Sequence, residues 1–220
     1  MTRRATEGAA GNLPPLNKVR AGRHYTGKGS SIDPLLGRVG FFRSLLQCLE
    51  RTEVTKPGGS SLQKLEPALA RFEAVAKAAH RAGGKLIFIG NGGSAAIASH
   101  MAVDYSKNKG VRATVFNDGP MLTCLSNDYG YDRVFSKQLE YHATKNDVVV
   151  IISTSGRSLN IVSAADTARA IQCRGLFTFS GMNPNNQLRQ RGDLNFYIPC
   201  ADYGLVEVSH LALLHSVASR

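Results

Sequence analysis

Two histidines and two acids, drawn from distant parts of the chain, have the side chains best suited to chemistry: His100 and Asp104 in one segment, Glu207 and His215 in another. His100 and Asp104 are spaced i, i+4, so on a helix they share one face. Glu207 and His215 lie about two helical turns apart and project in broadly the same direction, with His210 displaced around that helix. Two imidazoles with two carboxylates suit a borderline divalent metal such as Zn²⁺, and equally suit acid–base work near neutral pH. The same spacing also fits imidazoles packed as core or interface groups on an apolar helix.

Two further segments have the chemistry of anion seats. Lys85-Leu86-Ile87-Phe88-Ile89 runs into Gly90-Asn91-Gly92-Gly93-Ser94, and an Ala-rich helical stretch follows. Strand, glycine turn and helix in that order place bare N–H groups and the positive end of a helix dipole at a sheet edge, where oxyanions bind. A second turn, Ser153-Thr154-Ser155-Gly156-Arg157-Ser158, follows Val148–Ile152. Ser94, Ser153, Ser155 and Ser158 add hydroxyl donors and Arg157 adds charge. Two such turns in one domain imply one shared phosphate-bearing ligand. The first is not the dinucleotide pattern G-x-G-x-x-G, because Ala95 stands where the third glycine belongs, and Asp118 is a weak marker for a ribose contact. A dinucleotide-dependent oxidoreductase is set aside on that mismatch.

The elements that must position these groups alternate along the chain. Helical spacing of Leu35, Leu36, Val39, Phe42, Leu45, Leu46 and Leu49 predicts a helix over 34–51, and Leu62, Leu65, Leu69, Phe72, Val75 and Ala79 predict a second over 61–82. The segment Thr55–Ser60 breaks them, and Gly83-Gly84 stops the second. Strands are predicted at 85–90, 112–117, 147–153, 175–180 and 194–199. Helices are predicted at 94–108, 129–144, 158–173, 184–191 and 205–219. The strands are continuous apolar runs, as expected where both faces are covered. The fold class is therefore α/β, a three-layer, doubly wound, five-stranded parallel sheet preceded by two N-terminal helices, with ligands at the carboxyl ends of its strands.

At 220 residues the chain suits one such domain, placed at 32–220. Of the net charge of +11, residues 1–31 hold six cations against one anion, and this Gly/Pro/Ser-containing segment is read as a disordered basic tail. With no aromatic-interleaved basic stripe, the charge does not indicate nucleic acid. No apolar run reaches the length of a membrane span, and no apolar h-region follows the charged N-terminus. Cys48, Cys124, Cys173 and Cys200 are widely spaced, which suits reduced thiols in the cytoplasm.

Taken together, GNGGS at 90–94, His100, the acid at 104, Ser126-Asn127-Asp128-Tyr129-Gly130, the 153–158 turn and the final acid–histidine pair resemble the sugar isomerase (SIS) domain family, in its phosphoheptose isomerase branch. The resemblance covers about residues 35–220. It implies a flavodoxin-like sheet, a homotetramer with active sites between subunits, and aldose–ketose isomerisation of a phosphorylated sugar, sedoheptulose 7-phosphate by default. Substrate contacts would fall on Asn91, Gly92, Gly93, Ser94, Asn127, Asp128, Ser153, Thr154, Ser155 and Ser158. The metal, commonly zinc and one per subunit, would fall on His100, Asp104, Glu207 and His215, with Asp104 and His215 as the acid–base pair. This chain has Asp104 where the family usually carries Glu, and Glu207 where it usually carries Gln. The resemblance leaves one alternative in another class, a non-catalytic SIS protein that binds sugar phosphate or the replication initiator protein as a regulator.

Overall fold

The structure is a computed structural model that describes residues 37–58 and 62–219; the tail assigned to 1–31 lies outside them. In chain order the described elements are α1 (Gly37–Glu50), β1 (Glu53–Thr55), β2 (Leu62–Gln63), α2 (Leu65–Arg81), β3 (Leu86–Gly90), α3 (Gly93–Lys107), β4 (Ala113–Val115), α4 (Gly119–Tyr129), α5 (Val134–His142), β5 (Val148–Ser153), α6 (Leu159–Ala170), β6 (Gly175–Gly181), β7 (Leu194–Ile198) and α7 (Tyr203–Ala218). Short 3₁₀ turns cover Tyr131–Arg133 and Leu188–Gln190.

Five parallel strands form the centre in the order β7-β6-β5-β3-β4. The strand order reverses between β3 and β5, which pair along Leu86↔Val148 through Gly90↔Ile152. A doubly wound sheet binds its ligands in the crevice outside the carboxyl ends of the strands at such a switch point. Alternation along the strands separates two cores. Leu86, Phe88, Val148, Val150 and Ile152 pack under α1, α2, α3 and α7. Ile87, Ile89, Val149 and Ile151 pack under α4, α5 and α6. Each of these side chains is fully buried, worth roughly 2 kcal/mol apiece in apolar transfer. Continuous apolar strands follow directly from two covered faces.

The expected five-stranded sheet is extended at one edge. β1 joins β7 antiparallel, with Val54 opposite Phe196, and β2 joins β1, making seven strands among the described residues. Val54 is completely buried, so β1, which runs from between the predicted first helix and the break into Thr55, covers the otherwise open β7 edge, and β2 takes the first residues of the helix predicted over 61–82. Buried Arg189 pins that addition by pairing with Glu53 and lying 4.2 Å over the Tyr197 ring. The predicted 129–144 helix divides into the last residue of α4, a 3₁₀ turn and α5, and α4 itself went unforeseen. Asp118 accepts a hydrogen bond from Met121 N at 2.9 Å, so it caps α4. Within 184–191 the helical part is the single turn Leu188–Gln190, because the side chains of Asn183 and Asn186 accept from Asn185 N and Arg189 N and hold the connection in turns.

Candidate active site

Both glycine–serine turns lie at the switch point. β3 delivers Gly90 to a turn in which Gly92 holds φ 54° and ψ −122°, a conformation that side-chain-bearing residues rarely adopt. α3 begins at once with no side-chain cap, and Ser94 is buried in its first turn. β5 delivers Ser153, whose Oγ accepts from Gly156 N at 3.1 Å and shapes the second turn. Thr154 is buried and its Oγ1 has no hydrogen-bond partner, while Ser155 and Ser158 are half-exposed. Ser158 stands at the N-cap of α6 but makes no capping hydrogen bond. In contrast, α4 and α7 are closed by Asp118 and Asp202. α6 therefore keeps first-turn N–H groups for an anion, while α3 starts without a cap of its own.

α3 packs against α7, and that contact brings three of the four candidate ligands together. His100 Nε2 lies 3.5 Å from Asp104 Oδ2, and His215 Nδ1 lies 3.4 Å from the same oxygen. The imidazole rings are 5.1 Å apart at an interplanar angle of 62°. One donor atom from each residue falls within 4.8 Å of the others. Asp104 Oδ1 accepts from Asn108 Nδ2 at 3.3 Å, which leaves Oδ2 facing the imidazoles. Donors on a tetrahedral zinc with bonds of about 2.0–2.1 Å stand about 3.3–3.4 Å apart, so this set has the chemistry and two of the spacings a divalent cation requires. All three side chains are partly open, His100 the most.

Glu207 is placed differently. Its carboxylate packs on Gly93, where an added Cβ would lie only 2.5 Å from Oε1. It thus sits at the positive end of α3, away from the three-residue cluster. The contact explains a glycine at position 93. Buried His210, from the same helix, points into the core and places Nε2 3.1 Å from Ser180 O.

Asparagines supply much of the remaining framework. Asn91 and Asn160 exchange a reciprocal pair of hydrogen bonds, and Tyr131 donates to Asn91 Oδ1 at 3.3 Å. Asn117 donates to Ala95 O at 2.9 Å and to Ser99 Oγ at 2.8 Å, fixing the loop after β4 on α3. A cavity of about 250 Å³ between these groups is walled by Asn91, Ser99, Asn117 and Tyr131 over Leu122 and Phe135. Asn127 and Asp128 occupy the exposed last turn of α4, where Asn127 Nδ2 donates to Asp128 Oδ1 at 3.0 Å. Sequence reading missed Asn117, Tyr131 and Asn160, because each acts through a partner distant in sequence.

An α/β sheet with two glycine–serine turns at its switch point, and a His–Asp–His cluster further along α3 and α7, has the chemistry of a small-molecule site equipped for proton transfer or metal binding. The SIS-domain family profile matches residues 60–174. A phosphoheptose isomerase of Geobacter sulfurreducens is 34% identical over 194 residues, covering 84% of this chain and 94% of the relative. One from Pelobacter propionicus is 37% identical over 161 residues, covering 70% and 83%. The solved phosphoheptose isomerase of Neisseria gonorrhoeae superposes with a TM-score of 0.71 at 26% identity, over 82% of this chain and 95% of that one. The chain belongs to the SIS-domain family, in its phosphoheptose isomerase branch.

Proposed function

We infer that this chain is an aldose–ketose isomerase that interconverts sedoheptulose 7-phosphate and glycero-manno-heptose 7-phosphate. The observation that carries the reading is the convergence of His100, Asp104 and His215 in a domain whose switch point carries two turns that lead into helices without side-chain caps. The phosphate seats on the 153–158 turn, on the hydroxyls of Ser153, Ser155 and Ser158 and the backbone around Thr154, with Ser94 contributing from the other turn. Gly92 and Gly93 let the sugar approach the backbone, while Asn91, Asn127 and Asp128 offer polar contacts to its hydroxyls.

Asp104 takes a proton from C1 of the ketose and returns it to C2, and His215 takes the hydroxyl proton from O1 and gives it to O2. Those two transfers complete the isomerisation with no net gain or loss of atoms. His100, Asp104 and His215 would hold one divalent cation such as zinc, with Glu207 reaching in as a fourth ligand by turning away from Gly93. When bound, that cation supplies Lewis-acid polarisation of the sugar carbonyl.

A homotetramer fits the apolar stripe of α1, where Val39, Phe42 and Leu46 are each more than half exposed at i, i+3 and i+7. A cytoplasmic location goes with four cysteines that form no disulfide. No helix among the described residues is long and apolar enough to cross a membrane. A proton NMR time course with sedoheptulose 7-phosphate, with and without chelator, tests the reading. New aldose signals are expected, and they should be lost on chelation. An unchanged ketose spectrum in the metal-loaded protein would overturn it.

A further inference from the structure

Two turns that bind opposite ends of one substrate work only while their spacing is fixed. The β3–β5 ladder fixes the two turns only as far as Gly90↔Ile152, and beyond it each turn leads into a separate helix. One side-chain bridge spans the two turns past the end of the ladder. Asn91 Nδ2 donates to Asn160 Oδ1 at 2.9 Å, and Asn160 Nδ2 donates back to Asn91 Oδ1 at 3.0 Å. Asn91 lies in the turn that leads into α3, and Asn160 in the first turn of α6. Asn160 is only 2% exposed, so breaking the pair strands buried polar groups. Tyr131 takes the second lone pair of Asn91 Oδ1. That leaves Asn91 a single N–H for any ligand, so its side chain serves mainly as a strut.

We propose that Asn160 is a positioning residue for the isomerisation: through Asn91 it sets the spacing between the 153–158 turn and α3, and so between the phosphate seat and the His100–Asp104–His215 cluster. The proposal rests on the isomerase reading above. Asn160 touches neither cluster nor reacting carbons. Its loss leaves each seat intact and misaligns them, so the effect falls on kcat more than on KM.

The Asn160→Asp variant separates this role from plain stabilisation. A protonated carboxyl reproduces both bonds, its O–H donating to Asn91 Oδ1 and its other oxygen accepting from Nδ2. An ionised carboxylate faces Asn91 Oδ1 oxygen to oxygen. Burial favours the neutral acid, so the switch falls above the ordinary carboxyl range. Relative to wild type at the same pH, kcat should be within about threefold at about pH 5 and down about 10²-fold at about pH 8, with KM changed less than about threefold. Tyr131→Phe, at an exposed position that does not threaten folding, should lower kcat about threefold to tenfold with KM unchanged. Wild-type turnover reports on the isomerase reading alone, and the variant-to-wild-type ratio reports on the bridge. A ratio that stays flat with pH, together with wild-type kcat in Tyr131→Phe, would overturn the proposal.

Discussion

His210 ties the stability of α7, the helix that presents His215, to pH. Its ring is completely buried, edge-on to Phe179 at 5.9 Å, with Nε2 held by Ser180 O and Nδ1 without a partner. Burial pushes its pKa down to about 4 from the usual 6.5, against a smaller opposing pull from the Ser180 carbonyl. Between those values the unfolded chain accepts a proton that the folded state refuses. Stability from this group is therefore complete above the unfolded pKa and declines as pH falls toward the folded one. From about pH 7 to about pH 5 the loss works out at about 2 kcal/mol. His210→Gln keeps an N–H for Ser180 O and cannot titrate. Urea unfolding followed by circular dichroism at the two pH values should show a pH-dependent loss about 2 kcal/mol smaller in the variant than in wild type. Equal losses in both proteins would refute the assignment, whatever the absolute stability of the variant.

Other substitutions probe the turns. Gly93→Ala places a Cβ 2.5 Å from the Glu207 carboxylate, a flexible group that can swing aside. Thermal melts should change by no more than about 1 kcal/mol while turnover falls about 10²-fold, since the added methyl keeps the sugar from the backbone at position 93. Gly156→Ala should cost about 2–4 kcal/mol in denaturant unfolding. Gly156 has φ 61°, and its added Cβ would meet Asn186 Oδ1 at 2.1 Å. Asn186 is buried and cannot yield, because it accepts from Arg189 N and donates to Asn183 O.

Much of this architecture was legible because its signals are local. The apolar runs at 86–90 and 148–153 and the glycine–serine turns that follow them declare a strand, a crevice and a helix start within ten or so residues. His100 and Asp104 were readable as neighbours, being one helical turn apart. What stayed hidden depends on contacts made across the sequence. Val54 becomes a strand residue only because β7 offers an edge, and Asp118 becomes a cap only once α4 exists. Asn160 lies 69 positions from Asn91, and no periodicity links them. Glu207 illustrates the same limit within the site. Its spacing from His215 is helical, yet the carboxylate rests on Gly93, because the positive end of α3 stands in its path.

The acid shared by both imidazoles gives the most direct test. Asp104→Asn preserves shape and the contact with Asn108 while removing the charge and the proton acceptor. With sedoheptulose 7-phosphate and the NMR time course, wild type should isomerise the sugar, and Asp104→Asn should show no turnover while melting like wild type. Turnover at the wild-type rate in Asp104→Asn would contradict the assignment of the chemistry to this cluster.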